Sequence, residues 1–538
     1  MLNRKTSYDP EKKVWSGQEI PPIFNPNSSI GSIIFRTIST NLKNIIQIND
    51  TERTELTNKQ LIHMSSKVAV KLESLGLKQD DVVGIIASNT TYLMPVAVGC
   101  FFANIPFHPL DTSFDKNTIS HLWGITRPKV IFCDGDVLKI ARDVSFDLKL
   151  NSTIYTLNDH EEKTSIEDIW KEDYSNYCPS SVIDSNQTAV IYSSSGSTGL
   201  PKAVALSHRY IITFILSMCS DSSEDVSLLV SSFYWITGFI AILNSAVTGA
   251  TNLIARSPFS PSNFISLIEK YKVTRTDLTP AQVALIIDCP SIQTGNLKSL
   301  RNINLGGATF PKQLRFRFRK YLSEKCIIIF DFGTTELAYI SESYSDESPD
   351  STGSLCPNVK VKIIDSNGEN LGVRETGEIC AHGSIPWAGY IRNQTATDDV
   401  YDPQEFWYRT GDIGYFDNEG NLYVIDRLKD VIKVTDGHHV SPSEIESIIL
   451  EIPCVVMACV VGITDVKEFN TLVALVVKSE SSSLSKSDVI NFVNTKTSEY
   501  KRLKDVYFVD RLPMTSTGKV VRKMAINLAE EIRKRVYD

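Results

Sequence analysis

Apolar positions along the chain fall into short continuous runs separated by polar or helix-period segments. Val82-Val83-Gly84-Ile85-Ile86-Ala87 is such a run and predicts a parallel strand covered on both faces. A helix through Met94, Val96, Val98, Phe101 and Phe102 follows, with Asn89-Thr90-Thr91 as its expected cap. The segment from Lys129 to Asp134 predicts the next strand. Strands alternating with helices argue for a doubly wound sheet.

Two further apolar runs, Ala189-Val190-Ile191-Tyr192 and Ala203-Val204-Ala205-Leu206, predict a strand–loop–strand. Downstream, Thr276 to Pro280 leads into a helix from Ala281. The stretch from Arg301 to Ala308 predicts a strand ending in a glycine turn, and that from Cys326 to Glu336 a strand ending in small and polar residues. From Gly353 the strands become shorter, with turn signals such as Asp365-Ser366-Asn367-Gly368. Asp426-Arg427-Leu428-Lys429-Asp430 is a charged break between apolar strands and the expected domain boundary, dividing residues 1–428 from 429–538. After it come a helix from Ser441, two strands, a helix near Asp488 and a polar loop from Met514 to Lys519. The expected class is α/β, with a large N-terminal and a small C-terminal domain.

Composition narrows the classes of function. At 538 residues the chain is too long for one ordinary core, and 42% hydrophobic with 22% charged residues reads as globular. A formal net charge of −8 leaves no basic footprint for nucleic acid. The ten cysteines form no C-x-x-C, so neither a disulfide framework nor a cysteine metal site is expected, and a reducing compartment fits. The uncharged stretch from Ser227 to Ala255 is long enough to cross a bilayer, but its scattered Ser, Thr, Gly and Asn predict a buried core hairpin or helix instead. The N-terminus shows no secretory pattern, and the final Val536-Tyr537-Asp538 is not the S-K-L address, so the cytoplasm is the expected location over the peroxisome. Composition leaves the oligomeric state open.

Candidate chemistry gathers at strand ends. Ser193-Ser194-Ser195-Gly196-Ser197-Thr198-Gly199-Leu200-Pro201-Lys202 joins two predicted strands with hydroxyls, free N–H groups and a lysine. Such a loop is either a polar turn or an anion cradle. It lacks the G-x-x-x-x-G-K-[ST] spacing and is followed by a strand, which excludes a Walker loop. In open α/β sheets ligands bind at carboxyl ends of strands, so three strand ends rich in Gly and hydroxyls point to one nucleotide or phosphate site. Read singly, Asp412 is a turn cap, Glu336 a helix-start charge, Lys519 an exposed lysine, and Tyr234 and Trp235 core aromatics.

Taken together, Tyr192 to Lys202, Phe332-Gly333-Thr334-Thr335-Glu336, Tyr408-Arg409-Thr410-Gly411-Asp412, Asp426-Arg427 and Thr517-Gly518-Lys519 resemble, in order, the motifs of the adenylate-forming superfamily. That superfamily includes acyl-CoA synthetases, 4-coumarate–CoA ligases and insect luciferases. The resemblance implies a large domain of doubly wound sheets with a small β subdomain, and a mobile α+β C-terminal domain hinged at Lys429. It implies ATP, Mg2+ and coenzyme A as reactants, and a carboxylic acid activated to acyl-AMP before transfer to the thiol.

The same resemblance assigns sites. Ser194, Ser195, Gly196, Ser197, Thr198, Gly199 and Lys202 would grip the β and γ phosphates. Thr335 would touch the α-phosphate and Glu336 would hold Mg2+. Phe332 would flank the adenine with the turn Gly306, Gly307 and Ala308 on its other side, and Asp331, Gly333 and Thr334 would also bind the nucleotide. Asp412 would take the ribose hydroxyls, Arg427 the ribose and phosphates, and Lys519 would bridge carboxylate and phosphate. Tyr234, Trp235, Thr237, Gly307, Leu337 and Ala338 would line the acyl pocket. That apolar, aromatic character favours a medium or long fatty acid or an aromatic acid.

The chain departs from beetle luciferases at two places. They carry a His pair where Tyr234-Trp235 stand, and a Lys shortly after the pair matching Ile432-Lys433, where this chain has Val434-Thr435-Asp436-Gly437. Acid–thiol ligation is therefore the leading expectation. Luciferin oxidation with light emission and a non-catalytic nucleotide or acyl binder are the alternatives.

Overall fold

Hydrophobic runs become strands, and their order explains where the polar strand ends meet. The computed structural model describes residues 5–158, 164–171, 177–182, 184–194, 201–219, 221–256, 259–308, 310–344, 350–383, 385–434, 438–464, 470–479, 482–515 and 519–537. A six-stranded sheet runs in the order Lys202–Ser207, Thr188–Ser194, Phe107–Leu110, Val83–Ile86, Val130–Cys133, Thr153–Thr156. Only its first pair is antiparallel. The expected run at Val82–Ala87 is its central strand Val83–Ile86, buried at all four positions.

A nine-stranded sheet is built around the parallel strands Thr251–Ile254, Val226–Leu229, Arg275–Leu278, Asn302–Leu305 and Ile327–Thr334. The two sheets are joined by buried helices. All ten residues of the helix Leu93–Phe102 are buried, and Phe101 meets Phe239 of the helix Ile236–Thr248 with ring centroids 6.1 Å apart. The helix Leu93–Phe102 has no side-chain cap. Thr91, expected to cap it, is held by Glu52, whose Oε2 accepts the Thr91 N–H at 3.0 Å.

The uncharged stretch from Ser227 to Ala255 is a strand, Val226–Leu229, then the helix Ile236–Thr248, then a strand, Thr251–Ile254, parallel to the first. Parallel strands cannot be joined by a hairpin, so of the two expected forms, hairpin or helix, the structure takes the helix, as a crossover. No helix among the described residues is long and apolar enough to cross a membrane.

An antiparallel sheet carries the short strands after Gly353 and ends in Trp407–Phe416 and Leu422–Arg427. The C-terminal segment has its own three-stranded sheet, Val455–Thr464, Asn470–Lys478 and Asp505–Phe508. Asp426 marks the passage into it. Its Oδ2 accepts the Ser441 hydroxyl at 2.6 Å and the Ser443 N–H at 3.1 Å, anchoring the start of the helix Pro442–Ile449. Met457, Cys459, Tyr507 and Leu512 of the C-terminal segment share one apolar cluster with Val283, Ile287 and Phe310 of the large one. That packing brings the loop ending at Lys519 over the large sheets.

Candidate functional site

Polar residues at the ends of the parallel strands face a loop from the C-terminal segment. The strands Thr188–Ser194 and Lys202–Ser207 pair with Lys202 opposite Ser194, giving the expected strand–loop–strand. Ser195, Gly196, Ser197, Thr198 and Gly199 lie outside the described residues. The ends of the loop are fixed by two histidines. His108 Nε2 lies 3.0 Å from the Ser193 hydroxyl and its Nδ1 lies 3.2 Å from that of Thr126. Burial drives the pKa of His108 down to about 3, so it is a neutral hydrogen-bonding post. His121 Nε2 donates to the Pro201 carbonyl at 3.0 Å.

Thr335, Glu336 and Leu337 form the turn between the antiparallel strands Ile327–Thr334 and Ala338–Ser343, closed by the Leu337 N–H donating to Thr334 Oγ1 at 3.1 Å. Glu336 is thus not the helix-start charge that its single-residue reading supplies. It is buried, and Oε1 accepts the Tyr390 hydroxyl at 2.8 Å. Tyr408 also hydrogen-bonds to Glu336 and to Tyr390. Burial, then the Glu336 charge, pushes the Tyr390 hydroxyl well up, so it stays a donor. Lys202 Nζ stands 4.6 Å over the Tyr390 ring. One carboxylate, two phenols and one lysine therefore converge from four separate segments.

Asp412 and Arg427 face each other in register across the strands Trp407–Phe416 and Leu422–Arg427, with Nε 3.1 Å from Oδ1. Asp412 is only 3% exposed, and its Oδ2 is buried without a hydrogen-bond partner. Burial holds Asp412 above its ordinary carboxylate value, with Arg427 and Thr410 acting against it. An orphaned buried acceptor beside a guanidinium suits a hydroxyl-bearing ligand, because leaving such an atom unpaired costs about 1–3 kcal/mol.

Lys519 enters from the tail loop, whose ends are tied by the Thr515 N–H to the Lys519 carbonyl at 2.8 Å and the Lys519 N–H to Thr515 Oγ1 at 3.1 Å. Its ammonium lies 5.4 Å from the centroid of the Trp235 ring. Burial, then repulsion from Arg427, draws its pKa down to about 8, while Asp331 and Asp412 raise it. Asp331 sits against Gly306, where a Cβ would fall 2.3 Å from Oδ1. Burial, with Glu342 and Asp277 near, pushes Asp331 well above its ordinary value. Gly307 and Ala308 are exposed at the turn, and Phe332 and Thr334 are half-buried beside it. Gly333 pairs with Tyr339 in the hairpin. Lys429 is exposed.

The residues expected to line an acyl pocket divide. Thr237 lines a cavity of about 40 Å³ beneath the site, and Ala338 lines a second one of about 10 Å³. Tyr234 is buried against Phe114 and Trp235, and its hydroxyl bonds to Ser193, so it supports the loop strand. Leu337 is in the apolar core. The larger cavity departs from the apolar expectation, since Asp221, Arg275, Asp277, Asn302 and Asn304 line it. Tyr390, His108 and this polar lining escaped the sequence reading. The alternation Arg275-Thr276-Asp277 and Asn302-Ile303-Asn304 is the signal that was available.

Comparison with known proteins places this geometry. The family model described as AMP-binding enzyme matches residues 36–391, and that of the AMP-binding enzyme C-terminal domain matches 444–519. The chain is 29% identical to luciferin 4-monooxygenase of Photuris pensylvanica over 493 residues, 88% of this chain and 89% of that protein. It is 29% identical to 4-coumarate:CoA ligase 1 of Petunia hybrida over 523 residues, 94% of this chain and 95% of that one. The crystal structure of ATP-bound MatB from Rhodopseudomonas palustris shares the fold, with a TM-score of 0.83 at 21% identity over 93% of this chain and 99% of that one.

Proposed function

The chain belongs to the AMP-binding enzyme family, within the adenylate-forming superfamily, and we propose that it activates a carboxylic acid with ATP and passes the acyl group to coenzyme A. One observation carries this reading. Lys519 reaches from the C-terminal segment to Gly307 and Trp235, while the Asp412–Arg427 pair beside it keeps a buried carboxylate oxygen unpaired.

In the first step a carboxylate oxygen bonds to the α-phosphorus as the bond to the pyrophosphate oxygen breaks. Two anions meet, so fixed positive charge must offset their repulsion. Lys519 and Arg427 supply it at the reacting end, and Lys202 with Ser194 at the leaving pyrophosphate. Thr335 contacts the α-phosphate, and Asp412 accepts the ribose hydroxyls. Gly306, Gly307, Ala308 and the strand end Asp331 to Thr334 enclose the base. In the second step the thiol sulfur bonds to the acyl carbon, the carbon–oxygen bond to AMP breaks, and the thiol proton passes to solvent.

Glu336 is the residue to hold Mg2+, and its fit rests on its donors. No cluster of three or more His, Cys, Asp or Glu that could hold a metal exists among the described residues. Mg2+ commonly takes one or two carboxylates with substrate phosphates and water, which one buried glutamate at a phosphate site can serve. The ion supplies charge neutralisation on the phosphates. Tyr390 and Tyr408 orient the carboxylate. The domain boundary lies between residues 428 and 429, with Lys429 as the hinge whose rotation withdraws Lys519 for the thiol step.

ATP–pyrophosphate exchange with a panel of acids tests the first step, and thioester formation on adding coenzyme A tests the second. Exchange without thioester confines the reading to adenylation, and absence of exchange with every acid sinks it.

A further inference from the structure

Strands covered on both faces of a parallel sheet are normally apolar throughout. Two adjacent strands of the nine-stranded sheet break that rule on one face. Arg275 pairs in register with Asn302, and Asp277 with Asn304. Both rows look into the cavity of about 40 Å³, room for a few waters or one small polar group. The opposite wall is the helix Ile236–Thr248, whose Thr237 and Asn244 both line the cavity. They are seven positions apart, about 10 Å along a helix axis. Trp235, under the Lys519 ammonium, lies two positions before Thr237, so one short segment borders both the reacting end and the cavity.

Burying charge is costly unless it is matched. Arg275 is matched: its Nε lies 2.6 Å from Asp221 Oδ1, and the Asn302 amide oxygen accepts from Nη1 at 3.2 Å. Asp277 takes only the Asn304 amide, Nδ2 to Oδ1 at 2.7 Å, and no cation pairs with it among the described residues. Across the cavity, the Asn244 amide group donates to Asp221, and its side-chain oxygen is buried with no partner. The surplus is therefore in acceptors and negative charge. Burial raises Asp277 above its ordinary carboxylate value, with the Asn304 amide and the charge of Arg275, which is already paired with Asp221, acting against it.

We propose that the acid activated here carries an amine at its far end, and that its ammonium is received between Asp277 and Asn244. This rests on the adenylation reading and adds the substrate class to it. A fatty acid of the same reach would leave Asp277 and Asn244 unpaired and lose the ammonium's charged hydrogen bond. Asp277 and Asn244 are then specificity-determining residues, with Arg275 and Asp221 the internally neutralised pair that frames them.

The test is ATP–pyrophosphate exchange by the full-length enzyme with three straight-chain acids of equal length, ending in an amine, a hydroxyl or a methyl, over a range of lengths. The amine acid is expected to exceed the methyl acid in kcat/KM by about tenfold to a hundredfold, the usual weight of a charged hydrogen bond. Asp277→Asn should erase most of that preference with the KM for ATP unchanged. Asn244→Leu, which keeps the volume and removes the unpartnered acceptor, should reduce it and keeps the test informative if the first variant folds poorly. Methyl or hydroxyl acids turned over as well as the amine acid overturn the proposal while leaving adenylation intact. Absence of exchange with every one of these acids and with the wider panel, aromatic acids included, overturns both.

Discussion

The side chain of Lys519 lies against Gly307, so that a Cβ on Gly307 would come within 2.8 Å of Lys519 Cε and 3.4 Å of Nζ. Gly307 also has a φ of +84°, where an L side chain is strained. Glycine therefore makes both the turn and the lysine's berth. Lys519→Ala is expected to slow acyl-AMP formation about 100-fold or more, the scale of losing one preorganised donor. Gly307→Ala should slow the same step less, by displacing the lysine. Thioester formation from supplied acyl-AMP should be much less affected in Lys519→Ala. Equal losses in the two half-reactions contradict alternation of the C-terminal segment.

The pKa of Lys519, drawn down to about 8, gives a pH signature. The ammonium is the active form, present below that value and lost above it. The kcat/KM for adenylation should therefore fall as pH rises through about 8. That parameter reports the free enzyme. Lys519→Arg should abolish the fall even if its absolute rate is low, because a guanidinium stays charged. A wild-type profile flat to pH 10 removes Lys519 from this role.

Asp412 offers its unpaired Oδ2 to a ribose hydroxyl. Asp412→Ala should raise the KM for ATP by about tenfold to a hundredfold, the loss expected for a charged hydrogen bond. Wild type should also discriminate against deoxyribose analogues of ATP, and the variant should not. Retained discrimination would place the ribose elsewhere.

The Tyr390 hydroxyl orients Glu336 across 2.8 Å. Tyr390→Phe keeps the ring under Lys202 and removes the hydroxyl's bonds to Glu336, Tyr408 and Ser194. Its apparent Mg2+ affinity, read from titrations of exchange activity, should drop by about 10- to 100-fold, as for other groups that orient a metal ligand. An unchanged Mg2+ titration would show that Tyr390 does not position the metal ligand, and an unchanged one in Glu336→Gln would remove Glu336 from that role.

Much of the site was legible because its parts are local. The strand–loop–strand at Thr188–Ser207, the glycine turn at Gly306-Gly307 and the capping box in which Thr279 starts the helix Pro280–Asp288 each depend on neighbours in sequence. Asp412 and Arg427 were both singled out as ligand groups, but their pairing needed the register of two strands. The uncharged stretch from Ser227 reads as a buried hairpin or helix, and the choice of helix follows only from the parallel pairing of its flanking strands. Thr91 was expected at a cap and is held by Glu52 instead, a contact across 39 positions.

By itself the sequence determined the order of the motifs, the α/β class and the residue types that meet polyphosphate, since these follow from backbone preference and side-chain chemistry within short windows. Only the tertiary structure brought Tyr390 and Tyr408 to Glu336, set His108 behind Ser193, and laid Lys519 over Gly307. Only it showed that Arg275, Asp277, Asn302 and Asn304 share one buried cavity. The reason is physical. Burial and electrostatic pairing depend on which distant segments fill the space around a group, and that is fixed by packing between sheets and helices rather than by neighbours along the chain.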